Sequence, residues 1–325
     1  MNLKFNINAI SKYRTELMGL ATILILICHA PGNGVTFHPI ISRLMAFGNL
    51  GVELFLLLSG LGLYYSLESH KSLGEWYRKR YARLLVPYIM IATPLFVCTN
   101  ISNETGLCGF LIDITTLNWW LYGKWFWFVA MLIPLYAITP VLYRLMSLKR
   151  GGVLIISIFT ILYITSLIFN GEGVLYHISQ VLNRMPCFII GILIAPYAKL
   201  GRKVYIPLLT IVLFAVGAVF YCVNTVIPYW LLIFPIVWLW CVLLKQYPWF
   251  SGFLSFWGII SLESYLLNVA LPIFRNSADI IPMGIQILIK VVIGTLLAYG
   301  VSKISKPVIN KLISRRNNER TATSS

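Results

Sequence analysis

The chain has 325 residues, of which 59% are hydrophobic and 11% charged, an apolar share above the roughly 45–50% usual in soluble domains; a disordered chain is excluded and an ordinary soluble enzyme disfavoured. Lys and Arg number 26 against 10 Asp and Glu, a net charge of +16. In a soluble protein that excess would point to nucleic acid, but here the cations lie between long apolar runs, and no nucleic-acid partner is expected.

Apolar runs of about 20 residues, enough to cross a hydrocarbon core of about 30 Å, recur along the whole chain. A basic stretch (Lys4, Lys12, Arg14) leads into the first, at 15–33, with no small-residue cleavage site after it, so it reads as a retained signal anchor. Runs at 45–67 and 84–101 follow. The connection 102–124 carries Glu104, Asp113 and the pair Trp119 and Trp120, as suits a partly ordered segment at headgroup level. Further runs lie at 125–145, 152–169, 180–197, 204–222, 226–244, 252–273 and 283–303. The expected fold is an all-α, polytopic transmembrane bundle of about ten spans: one membrane domain over 1–310, then a basic, polar tail over 311–325. The six cysteines (Cys28, Cys98, Cys108, Cys187, Cys222, Cys241) lie mostly inside apolar runs without metal-ligand spacing, so neither disulfides nor a metal are expected.

Taking alternate loops as one side, 21 of the 26 cations fall with the two termini. Arg43, Lys124, Arg184 and Arg275 fall opposite, and Lys290 lies inside the last run. The positive-inside rule therefore predicts cytoplasmic termini and a multi-pass protein of the cell membrane.

Ionisable groups at membrane depth cost several kcal/mol on the order of insertion scales, so each needs a partner or a task. His29 sits about 21 Å above a start near residue 15 at 1.5 Å per residue. Glu53 lies at similar depth on the second run, and Arg184 opens the sixth. On the ninth run, Glu263 and Asn268 lie about 15 and 22 Å above its cytoplasmic start. Two accounts stay open for each. His29 either bonds a neighbouring helix or handles protons, Glu53 and Arg184 form either a structural ion pair or part of a site, and Glu263 and Asn268 either bridge helices or line a polar cavity. The basic run Arg78-Lys79-Arg80 with Arg83 is likewise open. It is either a topology signal in contact with anionic membrane lipid, or a phosphate clamp, since Arg80 and Arg83 are neighbours on one helical face.

Four segments resemble the acyltransferase 3 family of integral membrane acyltransferases, which includes bacterial polysaccharide O-acetyltransferases. They are Glu16-Leu17-Met18-Gly19-Leu20-Ala21 through His29; Gly51-Val52-Glu53-Leu54-Phe55 with Leu58-Ser59-Gly60; Arg80-x-x-Arg83 with Pro87-Tyr88; and Gly258 through Leu266, which contains Ser261-Leu262-Glu263. Weaker echoes are Trp125-Phe126 with Tyr136 and Pro140, and Arg184 with Pro186. The resemblance runs from about 13 to 305. It implies ten core spans, a cytoplasmic acyl-CoA donor and an acceptor hydroxyl at or beyond the outer leaflet, together with a key histidine in the first span (His29) and a functional Arg-x-x-Arg (Arg80, Arg83). Two positions depart from the family pattern. Met18 stands where a cation is common, with Arg14 one turn earlier as its candidate replacement, and Asn268 stands where a histidine is frequent.

On this basis His29, Glu53, Arg184 and Glu263 are the candidate catalytic residues, Arg14, Arg80 and Arg83 the candidate contacts to acetyl-CoA, and Asn268 and Trp125 the candidate acceptor contacts. The expected reaction is O-acetyl transfer from acetyl-CoA to a polysaccharide or lipid-linked glycan. A transporter or flippase for a glycan or lipid intermediate, and a non-catalytic partner in envelope-polymer assembly, are the competing functions.

Overall fold

Sustained apolar runs with few breakers leave the backbone one way to satisfy its hydrogen bonds away from water, which is helix. The computed structural model, described for residues 4–32, 38–70, 72–168, 172–205, 229–271 and 282–322 with isolated positions between 212 and 219, is helical almost throughout. Strand β1 (Lys4–Asn6) precedes α1 (Asn8–Lys12), α2 (Arg14–Gly32) and α3 (Pro39–Ala46). A 3₁₀ turn at Phe47–Asn49 joins α3 to α4 (Leu50–Glu68). Then come α5 (Leu73–Ser102), α6 (Gly106–Ile114), α7 (Leu117–Tyr122), α8 (Trp127–Met146), α9 (Gly151–Ile168) and α10 (Val174–Lys199). After strand β2 (Lys203–Tyr205) the described elements are α11 (Tyr229–Gln246), α12 (Trp249–Ile259), α13 (Ser261–Ala270) and α14 (Met283–Ala322). The strands pair antiparallel, Phe5 opposite Val204.

Each expected run meets a helix except 204–222, which lies largely outside the described residues. Among the described residues five helices are long and apolar enough to cross a membrane, or six if α12 and α13 are one span, bent by 58°. That bend departs from the unbroken run expected at 252–273. The connection 102–124 is also more ordered than expected, since most of it folds into α6 and α7. The polar tail continues α14 as helix to Ala322.

Residues 1–65, 141–170 and 179–261 form one compact unit; residues 66–140, 171–178 and 262–325 form a second. In the first, helices cross where side chains are absent. A Cβ on Gly19 would lie 1.9 Å from the Leu254 carbonyl oxygen, and one on Gly258 1.9 Å from that of Thr15, so α2 and α12 meet backbone to backbone. The crossing of α4 and α10 is equally reciprocal: a Cβ on Gly60 would lie 2.1 Å from Phe188 O, and one on Gly191 2.2 Å from Leu57 O. In the second unit α5 packs on α6 and α14. The Tyr265 hydroxyl of α13 accepts a hydrogen bond from the Phe128 N–H in the first turn of α8 (3.2 Å), which satisfies a donor the helix leaves open.

Candidate functional site

The α4–α10 crossing fixes what lies two turns before it. Glu53 precedes Gly60 by the same seven residues that separate Arg184 from Gly191, and seven residues return a helix nearly to the same face. Because the two helices run in the same direction, the side chains meet. Arg184 Nη1 donates to Glu53 Oε1 at 2.8 Å, and Nη2 donates to Asn49 Oδ1 at 3.1 Å. Glu53 is 2% exposed, and the buried Cys187 thiol lies beside its carboxyl. The ion pair is thus present. Asn49 was not among the sequence candidates, since it precedes the helix in the 3₁₀ turn.

His29 lies in the last turn of α2 and is exposed. Its neighbour Cys28 lies close to Arg184 and to the backbone of Asn49, and its thiol donates to Ala46 O at 3.9 Å. Successive helical residues are about 100° apart, so His29 occupies the face beside this cluster, at the end of the helix rather than along its middle. Arg14, at the other end of α2, donates from Nε to the Leu58 carbonyl at 3.2 Å. A Cβ on Gly62 would lie 2.7 Å from its Nη2, so the missing side chain at 62 is what admits the guanidinium onto α4.

In the second unit Arg80 Nε donates to Ser66 Oγ at 2.9 Å, while Arg83 is exposed. Around them lie further polar groups, Trp76 and Arg78 from the basic run itself and His70, which sequence reasoning passed over. His70 Nδ1 contacts Ser66 O at 2.6 Å, and His70 Nε2, Trp76 Nε1 and Arg78 Nε are buried without a hydrogen-bond partner. Arg78 Nη2 donates to Ile313 O at 2.9 Å. The N-terminal part of α5 therefore holds a fixed cation, an exposed cation and unmatched N–H donors at Trp76 and Arg78, a donor set a phosphate group satisfies, whereas His70 Nε2, opposite an Nδ1 that faces a carbonyl, is an acceptor in the neutral ring. The signal that could have drawn attention to it is an aromatic and a histidine set among cations, whose apolar bodies let polar tips be buried.

Glu263, 7% exposed, lies within electrostatic reach of Lys306 on α14, toward the end that the charge count assigns to the cytoplasm. Asn268 is half-buried, five residues further along α13. Trp125 stands just before α8 at φ 61°, its ring edge-to-face with Phe96. Among the described residues no group of three or more His, Cys, Asp or Glu could hold a metal ion. The chemistry these residues offer is proton transfer at His29, a buried cation–carboxylate pair and phosphate binding along α5.

A family model described as an acyltransferase domain matches residues 17–304. No curated protein and no solved structure matches the chain.

Proposed function

The chain belongs to the acyltransferase 3 family, and on that premise we propose that this membrane acyltransferase moves an acetyl group from cytoplasmic acetyl-CoA to a hydroxyl of a cell-surface polysaccharide or lipid-linked glycan. The observation that carries the proposal is a family match over nearly the whole chain rather than over one motif. Ten crossings with both termini in the cytoplasm belong to the same proposal, supported by the charge count and by the helices found at the expected runs.

The CoA phosphates dock on Arg80 and Arg83, with Arg78 and Trp76 supplying further N–H donors, and Arg14 is a further contact to the donor from α2. At the reacting end, neutral His29 takes the proton of the acceptor hydroxyl as its oxygen attacks the thioester carbonyl. The C–S bond then breaks, the acetyl group stays on the acceptor oxygen, and the proton passes to the departing CoA thiolate. Such general-base help is worth about a hundred- to ten-thousand-fold. Arg184, held by Glu53 and Asn49, faces the charge that develops on the carbonyl oxygen. Glu263, within electrostatic reach of Lys306, and Asn268 on α13 are further polar contacts for the reacting groups.

The test is the purified protein in lipid vesicles given labelled acetyl-CoA and a polysaccharide acceptor. Label should reach the polysaccharide with wild type and not with His29→Ala. One observation favours transport as a second function: the bent pair α12–α13 has the form of the broken helices that line transporter sites. Movement of acceptor across the vesicle membrane without acyl transfer would select it.

A further inference from the structure

The end of α5 and the segment between α5 and α8 form an open-mouthed pocket of about 290 Å³ that the proposed reaction does not use. That volume is at the small end of the roughly 300–1,000 Å³ of small-molecule sites. The wall is built around Asp113. Its Oδ2 accepts from Asn100 Nδ2 at 2.8 Å, and its Oδ1 accepts from Asn118 Nδ2. Asn100 is fully committed, since Nδ2 also donates to Phe96 O at 2.9 Å and Oδ1 accepts from the Thr105 hydroxyl. Asn118 is not: its Oδ1 is buried with no hydrogen-bond partner, and the residue is one of those that line the pocket. An acceptor buried without a donor costs about 1–3 kcal/mol, a cost that a ligand hydroxyl removes once the Asn118 amide turns its oxygen toward the pocket.

Backbone strain marks the same place. The non-glycine residues at positive φ among the described residues are Glu104 (53°), Thr116 (65°) and Trp125 (61°), all within this one segment. A bulky aromatic in the left-handed region is an outlier, and such residues cluster at ligand clamps. Here the strain sets the Trp125 ring, 36% exposed, at the edge of the pocket, where Phe96 holds it edge-to-face at 6.0 Å. Lys124, exposed beside it, offers an ammonium donor.

A buried amide acceptor, a carboxylate, a flexible donor and a partly exposed indole match one chemical class: a ring with hydroxyls at its edge and C–H groups on its face. An anion would meet the Asp113 carboxylate, and an acyl chain would leave Asn118 unsatisfied. We infer that this pocket binds a neutral pyranose of the acceptor glycan, with Trp125 as stacking platform and Asn118 accepting a sugar hydroxyl. The inference rests on the proposed function, which names a glycan acceptor and puts this segment on its side of the membrane.

The test uses the full chain in lipid nanodiscs and saturation-transfer NMR with the methyl glycosides of glucose, galactose and N-acetylglucosamine. At least one should show transfer with the wild type and with Trp125→Phe, and lose it with Trp125→Gly and Asn118→Leu. In the acyl-transfer assay the same two losses should raise the acceptor KM by about tenfold or more and leave the donor KM in place. Absence of transfer from all three glycosides to folded wild type overturns the inference, as does displacement of a bound glycoside by inorganic phosphate. Acyl transfer indifferent to both variants refutes the pocket alone. Glycoside binding by a protein that never moves label from acetyl-CoA refutes the acyltransferase assignment and leaves the pocket as a sugar site.

Discussion

Replacing Arg184 by Met should destabilise the first unit far more than a surface change would. Arg184→Met removes the 2.8 Å bond to Glu53 and the 3.1 Å bond to Asn49, and leaves a carboxylate that is 2% exposed beside a methyl-tipped side chain. Breaking a buried pair from one side costs about 3–5 kcal/mol, because the remaining charge is uncompensated. At about 2–4 °C per kcal/mol for chains above 150 residues, the unfolding midpoint falls by about 10 °C. The assay uses the site itself: Cys98 and Cys108 are exposed and would react in the folded protein, so with every cysteine but Cys187 replaced by alanine, a thiol-reactive fluorophore that labels Cys187, buried against Glu53, reports the opening of this region on heating in detergent. The double variant Glu53→Gln with Arg184→Met carries no stranded charge and should recover at least half of the lost midpoint. If the single variant melts with wild type, or the double melts no higher than the single, the ion pair does not hold the α4–α10 crossing together as described.

Gly191→Leu should abolish folded protein, because even its Cβ would lie 2.2 Å from a backbone oxygen; size-exclusion chromatography of the detergent extract shows whether a monodisperse species survives. Gly62→Ala meets only the far end of the Arg14 side chain at 2.7 Å, so stability should hold or rise by about 0.5–1 kcal/mol from the better helix former. The displaced Arg14 should raise the KM for acetyl-CoA, and an unchanged donor KM would remove Arg14 from the donor site. Arg83→Ala, at an exposed position, should weaken acetyl-CoA binding about fivefold without moving the melting midpoint. Calorimetric titration checks it, and unaltered affinity would return that residue to a topology signal.

Features that are costly to place are legible in the sequence alone. Glu53 and Arg184 stood out because a membrane charges heavily for ionised groups, and the structure pairs them. The long runs at 84–101 and 180–197 were legible because length and apolarity alone define a crossing. What escaped was cheap or local. Asn49 completes the Arg184 site from a 3₁₀ turn whose residues carry no periodicity. The bend after Ile259 has no proline to announce it, and Gly258 there serves the crossing with α2. The helices α6 and α7 are short, and side-chain bonds around Asp113 brace them instead of an amphipathic stripe. Neutral amides such as Asn100 and Asn118 raise no alarm in a sequence, because their value depends on which neighbour satisfies them.

The pairing of β1 with β2 reaches beyond its three-residue strands. Hydrogen-bonded strands cannot straddle a lipid bilayer, so residues 4–6 and 203–205 share one aqueous compartment. The chain between them must therefore traverse the membrane an even number of times, a parity that owes nothing to where the lysines and arginines fall. Any arrangement with an odd tally over that stretch would have to tear this small clasp open.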